Sequence, residues 1–150
     1  MSKQKQSNQI HIVLGLGCSG ISEAKLLKSE WKDDIVLENN SNEKLIDISN
    51  KLKSEGINVI LLGETLNINN FTPWIERICS ITVSPGIDWE HVVLKELRIK
   101  NFFMQSEVEL AWERLSNIPS IGITGTNGKT TVTNMLNLSL IHISEPTRPY

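Results

Sequence analysis

The segment from residue 121 to residue 131 constrains the fold of this chain more than any other part of the sequence. It reads Ile-Gly-Ile-Thr-Gly-Thr-Asn-Gly-Lys-Thr-Thr, and Val132, Met135 and Leu136 follow it at helical spacing. An apolar run, a glycine-rich turn and a helix start predict a strand, a loop and a helix. In such a loop, backbone N–H groups converge on an anion, and the positive end of the helix dipole points to the same place. The segment therefore predicts a phosphate-binding loop.

The polar side chains of this loop indicate a nucleoside triphosphate with Mg²⁺. Lys129 supplies a mobile positive charge for the phosphates, and Thr130 supplies a hydroxyl for the metal ion. The match to the general pattern G-x-x-x-x-G-K-[ST] is incomplete, because its first glycine would fall at Ile123. A plain strand-turn-helix corner is the alternative, but such a corner does not need Gly-Lys-Thr-Thr.

The position of the loop limits what the chain can contain. The loop begins near residue 125 of a chain of 150 residues, of which 39% are hydrophobic and 21% are charged. That length suffices for one ordinary domain but not for two. A nucleotide-binding sheet needs several more strands than the ~20 residues after the loop can supply. We therefore expect the chain to be a fragment of a longer protein.

Charge and apolar patterning disfavour several classes of partner. The formal net charge of -2 gives no basic excess for nucleic acid, and no apolar run approaches the ~18 residues of a membrane span. Residues 1–9 lack the apolar centre of a signal peptide, so we expect a cytoplasmic protein, and a monomer. Cys18 and Cys79 are the only cysteines and lie far apart, which predicts reduced thiols and no metal site built on cysteine.

The first part of the chain predicts a Rossmann-like fold. An apolar run at residues 10–14 enters the turn Gly15-Leu16-Gly17-Cys18-Ser19-Gly20, and apolar residues at helical spacing follow as far as about Glu30. Strand, G-x-G-x-x-G and helix in this order are typical of dinucleotide-binding folds. We interpret Cys18 as a small residue that suits the turn, with a reactive thiol as the alternative.

A second strand is predicted at residues 35–37 and ends in Glu38-Asn39-Asn40. This position lies about 20 residues beyond the glycine turn, where an acidic side chain can accept a ribose hydroxyl. Polar residues are also common at strand ends, so both interpretations of Glu38 stay open.

Helices and strands alternate along the following residues. We predict helices at residues 43–55, 92–97 and 107–115, and strands at residues 59–62, 80–83 and 102–104. This order predicts a parallel sheet with right-handed crossovers. Because Ser84-Pro85-Gly86-Ile87 and the glycine turn both follow strand carboxyl ends, we expect them to share one crevice. On the last helix, apolar residues at i, i+3, i+4 and i+7 are expected in the core: Val108, Ala111, Trp112 and Leu115.

Taken together, the three glycine-containing motifs resemble those of the Mur ligase family. The turn at residues 15–20, the turn at residues 84–87 and the loop at residues 125–131 occur in the order and at the spacings of the branch that adds D-glutamate to UDP-N-acetylmuramoyl-L-alanine. The resemblance runs from about residue 10 to residue 137 and includes an acidic helix that begins near Ser106. It implies a Rossmann-like domain for the UDP substrate over residues 1–116, and the start of the central ATP-binding domain over residues 117–137.

The resemblance also implies the ligands of individual residues. The UDP substrate would be bound by Cys18 and Ser19 at its diphosphate, by Glu38, Asn39 and Asn40 at uracil, and by Ser84, Pro85 and Gly86 near the same nucleotide. ATP would be bound by Gly125, Thr126, Asn127, Gly128, Lys129, Thr130 and Thr131, with Lys129 as the catalytic residue and Thr130 as the Mg²⁺ ligand. The family often has Asp-Thr-Arg or Asp-Ser-Arg where this chain has Glu-Asn-Asn, which is a departure at the uracil end.

The implied reaction is ATP-dependent amide formation in peptidoglycan synthesis, with ATP and Mg²⁺ as cofactors. ATP converts the alanyl carboxylate of the UDP-linked substrate to an acyl phosphate, and the amine of D-glutamate displaces the phosphate. The other magnesium ligands and the D-glutamate-binding domain of the family lie beyond the region present. We therefore expect the chain alone not to catalyse ligation.

Three other interpretations remain. One is a sibling branch of the same family, although its first-domain motifs differ. Another is an NAD-dependent oxidoreductase, which explains G-x-G-x-x-G and Glu38 but has no use for Gly128-Lys129-Thr130. The third is a non-catalytic UDP-sugar-binding module.

The end of the chain stops resembling the family after Asn137. Residues 140–150, Leu-Ile-His-Ile-Ser-Glu-Pro-Thr-Arg-Pro-Tyr, resemble a translated sequencing adapter, and their two prolines end any helix there. We expect residues 138–150 to be a non-native tail and assign no site to them.

Overall fold

The computed structural model describes residues 9–30 and 32–144, with side chains described as far as residue 141. The chain divides into two compact units, Met1–Leu115 and Ser116–Tyr150. The division falls next to the boundary that the sequence predicts, while the role of each unit stays a prediction.

The first unit is a parallel α/β sheet with helices between its strands. The strands are β1 (Ile10–Leu14), β2 (Asp33–Glu38), β3 (Asn58–Leu61), β4 (Ile78–Val83) and β5 (Met104–Ser106). They form one five-stranded sheet in the order β3-β2-β1-β4-β5, and every neighbouring pair is parallel. The helices are α1 (Cys18–Ser29), α2 (Glu43–Ser54), α3 (Val92–Ile99) and α4 (Glu107–Leu115), and a 3₁₀ helix spans Ile68–Trp74. The predicted Rossmann-like fold class is confirmed.

The sheet is buried on both faces because successive side chains of a strand point in opposite directions. On β1, Ile12 and Leu14 pack in a cluster that includes Leu94 of α3. Val13, between them, packs in a second cluster that includes Leu27 of α1. Each of these side chains is almost fully buried, and burial of one such side chain contributes roughly 1.5–3 kcal/mol to stability. The apolar run of β1 is therefore continuous because helices cover both faces of the sheet.

An ion pair ties α4 to the end of α1. The Nε and Nη2 groups of Arg114 each donate to one carboxylate oxygen of Glu30, both at 3.0 Å. The hydrogen bonds from Arg114, and to a smaller extent the contact with Lys32, lower the pKa of Glu30 to about 2, well below its usual range. This forked contact fixes which face of α4 turns toward the rest of the unit.

Two predictions about the end of this unit are wrong. The last strand begins two positions later than the apolar residues at 102–104 indicate: Gln105 is buried, whereas Phe103 is 56% exposed. On α4, Leu110 is the buried residue, and the apolar residues expected in the core are exposed: Val108, Ala111, Trp112 and Leu115. The spacing identified residues that share a face, but Leu110 and the contact of Arg114 with Glu30 turn the opposite side of α4 inward.

The second unit consists of an irregular segment and α5 (Lys129–Ser144). The strand predicted at residues 121–124 is not formed, so this part of the expected fold is wrong. A strand needs a neighbour for its backbone hydrogen bonds, and the described part of this unit offers none. The helix continues past Asn137 to Ser144, within the segment expected to be a non-native tail, and residues 145–150 of that segment lie outside the described residues.

Candidate functional site

The main candidate site is a pocket of about 400 Å³ at the carboxyl ends of β1, β2 and β4. Every residue that the sequence comparison with the Mur ligases placed at UDP lines it: Cys18, Ser19, Glu38, Asn39, Asn40, Ser84, Pro85 and Gly86. The expected crevice shared by the glycine turn and the turn after β4 is therefore confirmed. Whether these residues bind a ligand stays a prediction.

The location of the pocket follows from the strand order. Chain connections run outward from β1 to β2 and β3 on one side and then return to β4 on the other, so the sheet order reverses beside β1. The loops after β1 and β4 consequently turn away from each other and leave a crevice, which is where open α/β sheets bind ligands.

Close backbone approach requires glycine at two positions of the first turn. Gly15 has φ 99°, and a Cβ at this residue would lie 3.0 Å from the side chain of Ser84. A Cβ at Gly20 would lie 2.0 Å from the carbonyl oxygen of Gly15, which is far inside any tolerated contact. Glycine at these positions lets the start of α1 pack directly on the turn after β1.

By contrast, Gly17 and Gly86 border open space. A Cβ added at either residue would meet no described atom within 4 Å outside its own chain neighbours. Gly17 is also the N-cap residue of α1, and it offers no side chain to the first N–H groups of the helix. The amino end of α1 therefore lies at the pocket, and Gly17 has no side chain that could accept from its first N–H groups. These free donors and the positive end of the helix dipole suit an anionic group such as a diphosphate.

Glu38 fixes the shape of the pocket by binding two backbone donors. Its Oε2 atom accepts from the N–H of Leu16 at 2.8 Å, and its Oε1 atom accepts from the N–H of Asn40 at 2.9 Å. The first bond joins the glycine turn to the end of β2. Sequence reasoning considered a ribose hydroxyl as the partner of Glu38 and missed this bond, because Leu16 becomes its neighbour only when β1 and β2 pair.

The predicted phosphate-binding residues form a loop and the first turn of α5. Gly125 and Gly128 have φ 148° and 77°, and α5 begins at Lys129. The Nζ group of Lys129 donates to the carbonyl oxygen of Gly125, so this side chain folds back over the loop. Thr130, in the first helical turn, is exposed. A glycine loop, a helix start and a lysine across the loop fit a phosphate group, although the strand expected before them is missing.

The described residues give three further findings, on cysteines, metal ligands and membranes. Cys18 and Cys79 are not joined by a disulfide in the structure. No group of three or more His, Cys, Asp or Glu side chains in the described part of the chain could hold a metal ion. None of the helices described is long and apolar enough to span a membrane.

Proteins similar to this chain in sequence include UDP-N-acetylmuramoylalanine–D-glutamate ligases from cyanobacteria. The UDP-N-acetylmuramoylalanine–D-glutamate ligase of Prochlorococcus marinus strain NATL2A is 80% identical over 137 residues, which is 91% of this chain and 29% of that protein. The enzyme of the same name from Synechococcus sp. strain CC9605 is 44% identical over 126 residues, or 84% of this chain and 27% of that protein. The chain thus spans under a third of the length of these relatives. No family model matches it.

A solved structure supports the fold. The UDP-N-acetylmuramate:L-alanyl-gamma-D-glutamyl-meso-diaminopimelate ligase from Neisseria meningitides is similar with a TM-score of 0.59, over 90% of this chain and 40% of that one. The sequence identity is 17%, so this likeness concerns the fold alone.

Proposed function

We propose that this chain, which is 80% identical to one UDP-N-acetylmuramoylalanine–D-glutamate ligase over 29% of that protein's length, contributes the UDP-substrate pocket and the ATP loop of such a ligase. The complete enzyme would join D-glutamate to UDP-N-acetylmuramoyl-L-alanine in the cytoplasm, during peptidoglycan synthesis. The structural observation that carries the proposal is the pocket in which the loops after β1, β2 and β4 meet.

In the first unit, the pocket would hold the UDP part of the substrate. The backbone N–H groups of Cys18 and Ser19, at the start of α1, would face the diphosphate, because the helix end favours negative charge. The amide side chains of Asn39 and Asn40 would serve the uracil, since an amide can both donate to and accept from its polar edge. Glu38, whose carboxylate oxygens accept from Leu16 and Asn40, would position this end of the pocket.

In the second unit, Gly125 to Thr131 would hold ATP with Mg²⁺. ATP would supply the phosphoryl group that activates the substrate carboxylate. Lys129 would move from the carbonyl of Gly125 to the phosphates and offset their negative charge, and the exposed hydroxyl of Thr130 would bind Mg²⁺. The catalytic role of this segment is therefore electrostatic.

The experiment is a calorimetric titration of the 150-residue chain with UDP and, separately, with NAD. We expect UDP to bind more tightly, because each carboxylate oxygen of Glu38 already accepts a backbone N–H group, from Leu16 and from Asn40, which weakens its contact with the adenosine ribose of NAD. Binding is measured rather than turnover because the chain spans only 29% of its relative. Tighter binding of NAD than of UDP would refute the proposal in favour of the dehydrogenase alternative.

A variant locates the binding in this pocket. Gly86→Leu directs a side chain into space where a Cβ meets no described atom within 4 Å, so it should block the ligand without disturbing the fold. Gly122→Leu is the matched control, because a Cβ there is equally unobstructed and the residue lies in the other unit. We expect UDP affinity to fall at least tenfold in Gly86→Leu and to be unchanged in Gly122→Leu. Equal effects of the two variants would place UDP elsewhere.

A further inference from the structure

A second cavity, of about 500 Å³, lies between α1 and α4 beside the UDP pocket. It shares Cys18 and Ser19 with that pocket, but its other lining residues come from the two helices. Besides Ser22, the polar part of the lining consists of Glu23 and Glu107, and the apolar part consists of Leu26, Val108, Leu110 and Ala111. The cavity is contained in the first unit.

The carboxylates of this cavity have no partner in the described protein. Glu23 is only 4% exposed, and neither of its carboxylate oxygens is hydrogen-bonded to any described residue. The Oε2 atom of Glu107 is likewise buried without a partner among the described atoms. A buried carboxylate is ordinarily paired or hydrogen-bonded, because the loss of water is otherwise uncompensated. The cavity therefore contains three buried carboxyl oxygens without a hydrogen-bond partner among the described atoms.

The neighbouring Arg114 offsets the charge of Glu23 only in part. Arg114 of α4 donates to both carboxylate oxygens of Glu30, to Glu113 at 2.8 Å and to the carbonyl of Leu110 at 2.9 Å. Its guanidinium is thus committed to other acceptors. Of the remaining polar groups near Glu23, the side chain of Thr82 favours the charged form although it makes no hydrogen bond of normal geometry to it, whereas Asp34 is also acidic.

The charge state of Glu23 agrees with this geometry. Burial above all, reinforced by the carboxylate of Glu107, raises the pKa of Glu23 to about 7. At neutral pH the side chain therefore alternates between a buried charge and a protonated acid. A cation placed beside it would favour the charged form.

We propose that this cavity is a binding site for a small organic cation of the alkylammonium class. The ammonium group would lie between Glu23 and Glu107, and its aliphatic part would pack on Leu26, Val108 and Ala111. A metal ion fits less well, because the described residues provide no cluster of three or more His, Cys, Asp or Glu ligands. The site would select the opposite charge from the UDP pocket, whose proposed ligand is an anion.

The test uses n-butylammonium and, as its uncharged counterpart, 1-butanol. Each is titrated into the 150-residue chain at pH 8 and followed by backbone amide chemical shifts. At this pH Glu23 is mostly ionised, and the amine keeps its proton because alkylammonium groups such as that of lysine titrate near ~10.4. We expect saturable shifts at Ser22, Glu23 and Ala111 with n-butylammonium, and at least tenfold weaker binding of 1-butanol.

Matched variants distinguish binding of n-butylammonium in this cavity from nonspecific attraction of a cation to an acidic protein. Glu23→Gln should weaken n-butylammonium binding at least tenfold, whereas Glu76→Gln, an exposed position with the same change in net charge, should leave it unchanged. Glu107→Gln provides a second variant should Glu23→Gln not fold, and a loss of affinity is expected there too. The proposal is overturned if 1-butanol binds as tightly, if both cavity variants retain the affinity, or if Glu76→Gln weakens binding equally.

Discussion

Gly20→Ala is expected to destabilise the first unit strongly through a single methyl group. The added Cβ would lie 2.0 Å from the carbonyl oxygen and 3.1 Å from the carbonyl carbon of Gly15. Both obstructing atoms are backbone, so no side-chain rotation can relieve the clash. Gly15 is itself held, because its N–H donates to the carbonyl of Leu37 at 2.8 Å. The start of α1 must therefore move away from the sheet by about 1 Å.

The size of the effect follows from two opposing contributions. Forcing an extra methyl group into a packed site costs typically ~1–3 kcal/mol, and a backbone obstruction belongs at the upper end. Replacing glycine by alanine within a helix returns up to ~1 kcal/mol, since Gly20 lies in the first turn of α1. The free energy of unfolding should thus fall by about 2 kcal/mol or more.

Urea unfolding followed by circular dichroism measures this change. With a slope of ~1–3 kcal/mol per molar urea, a loss of about 2 kcal/mol lowers the midpoint by roughly 1 M. Gly86→Ala is the control, because a Cβ there meets no described atom within 4 Å, and its midpoint should stay near that of the unchanged protein. A Gly20→Ala midpoint within about 0.3 M of the unchanged protein, or an equal fall in the control, would refute the packing argument.

Three further changes test other contacts. Glu38→Ala leaves the N–H groups of Leu16 and Asn40 without their acceptor, so the free energy of unfolding in urea should fall by about 1–3 kcal/mol. Hydrogen exchange of the Leu16 amide should also become faster, and an unchanged exchange rate would contradict the contact. Because the pKa of Glu23 is about 7 when folded and 4.5 unperturbed, the folded state holds the extra proton between these values. The free energy of unfolding of the unchanged protein should therefore fall between pH 4.5 and pH 7 by up to ~3 kcal/mol more than that of Glu23→Gln. Urea unfolding of both proteins across this pH range measures the difference, and an equal pH dependence of the two would contradict the raised pKa. In the complete ligase that we propose, Lys129→Ala should lower turnover ~10²- to 10³-fold while UDP-substrate affinity stays the same, and an equal fall in both would contradict the assignment of the loop to ATP.

Local sequence patterns are enough to predict the architecture of the first unit and the residues that line its main pocket. Apolar runs and helical spacing are local properties, and their alternation leaves few arrangements other than a parallel sheet. Glycine turns placed after β1 and β4 then had to meet at one edge, since the carboxyl ends of parallel strands lie together. This is why Ser19 and Gly86, which are far apart in the chain, line one pocket.

Contacts between side chains of different elements depend instead on how those elements pack. The orientation of α4 depends on Leu110 and on the contact of Arg114 with Glu30, so residues such as Trp112 are exposed despite their core-like spacing. The burial of Glu23 and the bond from Leu16 to Glu38 likewise arise when elements pack or pair. The strand expected before the phosphate loop failed for the same reason: local sequence gives a segment its preference, but a strand forms only where a neighbouring strand accepts its hydrogen bonds.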